Sequence, residues 1–314
     1  MGYQKDMYRK KFRIFTPIFI VILLNSYIVA CTRYAPKDST TRRSSSTTID
    51  SPVPVKVIEG DPLVIYVAED ASYQIEFRNA DNSLTGQVYP PFAKNADSGL
   101  FVKYNNLVLG PNFEEDYRIS VANIYDTWDL TNQTKLTGTG SRVDPWVIGT
   151  QLSHSSGITM TTQTSYINGD NFFIIAWDIC VIDPTQISTF LAGDYSLDGE
   201  NNWNGFFDNL TKSVGAINTD RNWVESFTPR NDAVHYQATE PQLVWDAIGS
   251  QGSPGPGFND SLSIDESSIA AGLQWDLSIN DCATTSAQWC FGPDGACPPS
   301  PLVKERYFLP YIQK

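Results

Sequence analysis

Three groups of side chains in this 314-residue chain could do chemistry, and each points to a different kind. The first is an oxygen-rich stretch, Asp194, Asp198, Glu200, Asn202 and Asp208, in which Asp198-x-Glu200-x-Asn202 alternates as loops do when they turn successive oxygens onto one hard cation. Calcium is the cation expected there. The stretch departs from an EF-hand loop, because Trp203 stands where the tight-turn glycine belongs and Asn209 stands where the closing glutamate does. The alternative is a polar turn whose Asp and Asn side chains cap their own backbone. Asn259, Asp260, Asp265 and Glu266 make a second cluster of the same character. The second group is aromatic: Trp203 and Phe206, with Phe207 and Trp223 nearby, lie where exposed rings would stack on a sugar face. Trp203 is expected to be exposed, whereas Trp177, Trp245 and Trp275 sit in apolar patterns and are expected in the core. The third group is the pair His154 and His235, the only histidines. With a carboxylate they could act as acid and base, provided the fold brings them together.

Other hydrolytic chemistry lacks its parts. No GxSxG elbow and no HExxH motif occur, and a two-carboxylate glycosidase site cannot be singled out from so many acids. No catalytic residue is assigned, and the balance leans away from an enzyme.

The elements that must position these groups read as strands. Val55–Val67, Tyr73–Phe77, Leu100–Leu109, Tyr117–Tyr125 and Pro145–Leu152 are short runs rich in β-branched and aromatic residues, separated by Gly, Asn, Asp and Pro. The clearest unit is Ile158–Ile167, Asn168-Gly169-Asp170 and Asn171–Ile182, two strands joined by a turn that tolerates positive φ. Its second strand, Phe172–Trp177, is apolar on both faces and predicts a position inside a packed sheet. Strands resume at Gly272–Ile279 and Thr284–Phe291. One short helix is expected at 241–249, opened by Pro241. The fold class is therefore all-β, a large antiparallel β-sandwich.

The chain opens with Lys5, Arg9, Lys10, Lys11 and Arg13, followed by the apolar run Ile14–Ala30. That run is 17 residues, roughly 26 Å of helix, short of the roughly 30 Å hydrocarbon core. It reads as a cleaved export signal over residues 1–30, the alternative being an uncut signal-anchor that likewise places the body outside the cytoplasmic membrane. The ending Ile28-Val29-Ala30-Cys31 resembles the lipobox of bacterial lipoproteins, which implies that Cys31 is acylated and becomes the new N-terminus. Residues 31–55 are Ser-, Thr- and Pro-rich and read as a disordered tether. The organisation expected beyond it is an N-terminal β part at 56–130, a main sandwich at 131–297 and a Pro-rich tail or edge strand at 298–314.

Charge and cysteines agree with export. The net charge is −13, and beyond residue 50 there are 32 acids against 13 bases, near −19. Such a field repels phosphate backbones, so nucleic acid is excluded as a partner, and membrane attachment must come from the lipid anchor. Five cysteines leave an odd thiol; assigning Cys31 to lipidation leaves four. Gly292, Pro293 and Gly295 let Cys290 fold back onto Cys297, which pairs Cys180 with Cys282. Zinc spacings are absent.

Tyr89–Gly110, Gly138-Thr139-Gly140 with Asp144-Pro145-Trp146, Tyr166–Phe173, Ala192-Gly193-Asp194-Tyr195, Gly205-Phe206-Phe207-Asp208 and Ala271-Gly272-Leu273-Gln274-Trp275 resemble an uncharacterised family of bacterial cell-surface β-sandwich domains over residues 56–290. The resemblance implies a galactose-mutarotase-like supersandwich, with an Ala-Gly-Asp-Tyr loop followed by a Gly-Phe-x-Asp loop. The function expected is that of a lipid-anchored, exported cell-envelope protein that binds carbohydrate or protein, or serves structurally. The alternative is a carbohydrate-active enzyme of mutarotase-like fold.

Overall fold

The structure, a computed structural model, describes residues 54–86, 98–111, 125–195, 202–250, 253–264, 266, 268–293 and 297. All of them belong to the compact unit Ser51–Lys314. The signal, Cys31, most of the tether, Asp198, Glu200, Asp265 and the 298–314 tail lie outside the described residues. None of the described helices is long and apolar enough to cross a membrane.

The domain is an antiparallel β-sandwich with one short helix, as the strand pattern predicts. β1 (Val55–Glu59), β2 (Leu63–Ala68), β3 (Tyr73–Arg78) and β4 (Leu84–Gly86) form a four-stranded meander. β5 (Ser98–Tyr104), β6 (Leu107–Gly110) and β7 (Tyr125–Thr127) enter a six-stranded sheet. At the buried Trp128 the chain crosses to an eight-stranded sheet, building β8 (Asp129–Gln133), β9 (Trp146–Ser153), β10 (Thr159–Tyr166) and β11 (Phe172–Cys180). β12 (Thr185–Tyr195) returns to the six-stranded sheet, and β13 (Trp203–Asp208), β14 (Ser213–Asn218) and β15 (Trp223–Pro229) go back to the eight-stranded one. β16 (His235–Thr239), the helix α1 (Pro241–Ile248) and the two-residue pair β17 (Gly249–Ser250) and β18 (Ser253–Pro254) follow. β19 (Ile269–Ile279) and β20 (Cys282–Pro293) close the two sheets. The orders are β13-β14-β15-β20-β11-β10-β9-β8 and β16-β19-β12-β5-β6-β7, with β6 and β7 the one parallel neighbour pair in the two sheets.

β5 and β6, which the sequence groups with β1 to β4 in an N-terminal β part, lie inside the six-stranded sheet. The Ala-Gly-Asp-Tyr and Gly-Phe-x-Asp segments, expected as loops, are the end of β12 and the body of β13. β11 is interior to its sheet, yet its burial alternates: Phe173, Ile175, Trp177 and Ile179 are buried, while Phe172, Ile174 and Ala176 are half-buried. One face therefore carries the core.

Between the sheets, Trp177 meets Trp275 edge-on at 5.1 Å, and Trp177 Nε1 donates to Thr189 Oγ1 at 3.1 Å, which satisfies its polar atom. The four-stranded meander adds Ile58, Leu63, Ile65 and Tyr73 to the same core, where Tyr73 touches Phe173 and Trp289. The helix begins at Pro241, whose missing N–H costs nothing in the first turn. It lays Val244, Trp245, Ala247 and Ile248 in a second core with Phe101, Phe190 and Phe258. Each fully buried large side chain contributes roughly 1.5–3 kcal/mol. Two disulfides, Cys180–Cys282 and Cys290–Cys297, take the expected pairing. The first joins residues directly opposite each other on β11 and β20.

The Gly138-Thr139-Gly140 segment has a structural cause. Gly138 has φ +85°, and a Cβ there would lie 1.9 Å from the Pro145 carbonyl oxygen. At Gly140 a Cβ would press 2.7 Å from the Trp146 ring, which stacks on Tyr166.

Candidate functional site

The described acids of the 194–208 stretch do separate jobs. Asp194 is buried in β12 and accepts from Ser268 Oγ at 2.9 Å. Asn202 donates its amide to Asp220 at 2.6 Å. Asp208 accepts from the Leu210 N–H at 3.0 Å and from Thr211 Oγ1 at 2.7 Å, bonds that hold its carboxyl below the usual carboxylate range. Of these, the Asp208 bonds cap a turn. Among the described residues, the three-residue group with metal-ligand spacing is Asp178, Cys180 and Cys282, whose sulfurs are bonded to each other and are not thiolates.

Trp203 corrects the expectation of an exposed ring. It is 1 % exposed and packs against Tyr195. Its strand edge is covered: the Trp203 N–H donates to Glu266 O at 3.0 Å, and the Glu266 N–H donates back to Trp203 O at 3.1 Å. Trp177, Trp245 and Trp275 are buried as expected. Phe206 points to the opposite face of β13 from Trp203 and is half-buried; its neighbour Phe207 shares the Trp203 face.

That parity places Phe207 at a seam between the sheets. β13 is the edge of the eight-stranded sheet and β16 the edge of the six-stranded one, and Asp260, Ser263 and Glu266 lace them together. On the β16 side, Asp260 N–H donates to Tyr236 O at 2.9 Å and Ser263 N–H to Ala238 O at 2.8 Å. On the β13 side, Gly205 N–H donates to Ser263 O at 2.9 Å. Where β13 runs out and β16 begins, the seam opens into a cleft of about 260 Å³, walled by Phe207, Asn209, Lys212, His235, Tyr236 and Asp260 and floored by Leu273. That volume lies just under the roughly 300 Å³ at which small-molecule pockets begin, enough for one ring and its substituents.

The geometry inside is specific. The Phe207 and Tyr236 rings lie face to face, centroids 3.6 Å apart and planes within 4°. Isolated rings prefer offset or edge-on contact, so the two laced strand edges impose this arrangement. Asp260 accepts from the Tyr236 N–H at 3.0 Å through one oxygen and faces His235 Nδ1 at 3.3 Å through the other. Burial and the Asp260 carboxylate push the Tyr236 phenol above its ordinary pKa. Lys212 Nζ stands 5.7 Å from the Phe207 centroid, within cation–π reach. The cleft thus offers an aromatic wall, a carboxylate, an imidazole, an ammonium group and an amide.

His154 takes no part in it. It sits in the turn between β9 and β10, where Nε2 faces Asp126 at 3.2 Å and Nδ1 faces Ser156 at 2.8 Å. The two histidines have different carboxylates and stand in different sheets, and the cleft walled by His235 does not include His154. Sequence reasoning also passed over Glu225, one acid among many. Its carboxyl is buried on β15, accepts from Trp289 Nε1 at 2.9 Å, and is pushed well above the usual range by burial and by Asp194. The Tyr195 hydroxyl, buried beside the same core, has no hydrogen-bond partner among the described residues.

No protein-family model matches the chain, and no curated protein matches it. Solved structures align with most of the chain at low identity. The heparan sulfate lyase HepC of Pedobacter heparinus aligns at TM-score 0.40 and 11% identity, over 78% of this chain and 37% of its own. A bacterial glucoamylase complexed with acarbose aligns at 0.43 and 10%, over 79% and 35%. A candidate aldose 1-epimerase of Klebsiella pneumoniae aligns at 0.40 and 8%, over 78% and 84%. The chain therefore spans little more than a third of the length of the first two.

Proposed function

We propose that this is an exported cell-envelope protein, held at the membrane through an acylated Cys31, that binds carbohydrate in the cleft between the two sheet edges. The observation that carries the reading is the paired Phe207–Tyr236 wall beside the Asp260 carboxylate. Flat rings bury the C–H face of a sugar while a carboxylate accepts from its hydroxyls. Asn209 and His235 add donors and acceptors around the same space. Export and anchoring draw support from the basic head and apolar run at residues 1–30, the Ile28–Cys31 ending and the two disulfides, which persist in oxidising compartments. The acidic body accounts for the need of a lipid rather than a charge-based attachment.

Binding alone, without turnover, is the form the site supports. His235 and Asp260 are both substantially exposed, and the second histidine of a mutarotase-type pair is elsewhere. A glycan array probed with the purified protein tests the carbohydrate reading, and binding to no glycan overturns it. Mass spectrometry of the membrane fraction tests the anchor: an N-terminal peptide beginning at acylated Cys31 supports it, and an intact residue 1–30 segment overturns it.

A further inference from the structure

Cations are scarce in the body of this chain, and most of those described are already engaged. Lys56 Nζ donates to Gln133 O and Lys103 Nζ to Gly255 O, while Arg78 pairs with Glu59 and Arg142 with Asp170. Lys212 differs: its ammonium makes no hydrogen bond or ion pair with any described residue and stands over the Phe207 ring at the cleft.

Its backbone is costly as well. Lys212 has φ +60°, in a turn closed by its own N–H donating to Asp208 O at 2.7 Å. Left-handed backbone is unfavourable by roughly 1–2 kcal/mol for most residues and is tolerated best by Gly and Asn. Four of the seven non-glycine residues with positive φ are Asn, the residue that suits the position. Asp260, across the cleft, also has φ +60°. A lysine here keeps a strained turn and sets its charge beside an aromatic wall, in the field of the Asp208 carboxylate but with no hydrogen bond to a described residue, the pattern of a group retained for a ligand.

We infer that the cleft takes an acidic saccharide, with the sugar ring against the outer side of the stacked Phe207–Tyr236 pair, its carboxylate or sulfate on Lys212 Nζ, and its hydroxyls on Asp260. This inference rests on the carbohydrate reading and assigns it a substrate class. Lysine serves as a point charge for such an anion, and the Lys212 ammonium, attracted by Asp208 but hydrogen-bonded to no described residue, keeps its donors for it.

The test uses the full chain purified in detergent, titrated calorimetrically with a glucuronate-containing disaccharide, its sulfated counterpart and the neutral glucose analogue. The wild type is expected to bind one of the anionic probes at least about tenfold more tightly than the neutral one, the loss typical of one charge-assisted hydrogen bond. Lys212→Asn should equalise the three probes while melting no lower than wild type, because Asn accepts the left-handed turn. Lys212→Arg should keep the anionic preference. Equal affinities in the wild type, or an undiminished preference in Lys212→Asn, overturn the acidic-ligand inference and leave carbohydrate binding standing. Binding of no probe here and of no glycan on the array overturns both.

Discussion

Removing the Cys180–Cys282 bridge should cost this protein much more than removing Cys290–Cys297, although both are single covalent bonds between sulfurs. The reason lies in the unfolded chain. The first bridge closes a loop with a sequence separation of 102 and the second one of 7. On the chain-entropy account the long loop contributes about 4.7 kcal/mol and the short one about 2.5 kcal/mol. The native state adds little to distinguish them, since Cys180 and Cys282 stay opposite each other on hydrogen-bonded β11 and β20 with or without the bond. Against a usual total of about 5–15 kcal/mol, losing the first would bring the domain near its unfolding threshold. The assay is urea unfolding of Cys180→Ala/Cys282→Ala and of Cys290→Ala/Cys297→Ala beside the wild type, followed by fluorescence of the buried tryptophans. The long-loop variant should fall by about 2 kcal/mol more than the short-loop one and show the steeper denaturant dependence of a more expanded unfolded chain. Equal losses, or a larger loss from the short bridge, would refute loop entropy as the source of their stabilisation.

Two further outcomes follow from buried groups. Because burial pushes the folded pKa of Glu225 well above its unfolded value, its contribution is complete below the unfolded carboxyl range near about 4.3 and is lost as pH rises toward the folded value. Glu225→Gln should therefore gain on the wild type progressively as pH rises through that window, and parallel curves of urea midpoint against pH would contradict the burial argument. Gly138→Ala should lose more than about 2 kcal/mol, since it adds a Cβ 1.9 Å from a carbonyl oxygen at φ +85°; a loss within 0.5 kcal/mol in thermal unfolding, roughly the scatter of neutral surface changes, would show that the 138–146 turn relaxes freely.

The parts of the fold that were legible in the sequence carry local signals. Asn168-Gly169 predicts the β10–β11 hairpin, and Gly169 does take φ +95° between strands paired Tyr166 to Phe173. Pro241 predicts the helix start. The resemblance implies a loop at Ala192–Tyr195, yet these residues end β12, and Gly193 answers to a tertiary contact: a Cβ there would lie 2.7 Å from Ser98 Oγ on the neighbouring β5. The cleft was half visible. His235, Asp260 and the 203–207 aromatics were all candidates, but which ring faces inward depends on strand parity, and a one-residue shift exchanges Phe206 for Phe207. Trp203 was misjudged because it follows a polar stretch, whereas β14 and Glu266 cover its strand from both sides. Lys212 has no sequence signature at all; its place over the Phe207 ring and its left-handed backbone exist only in the folded turn.

The central claim is that the Phe207–Tyr236 wall at the sheet seam holds a sugar. Titrating the glycan selected on the array into wild-type protein and into Phe207→Ala, with melting curves to confirm folding, tests it most directly. The prediction is a loss of at least about tenfold in affinity, the scale of one ring-stacking contact in a desolvated site, with the fold retained. A folded Phe207→Ala variant that binds as tightly as wild type would contradict it.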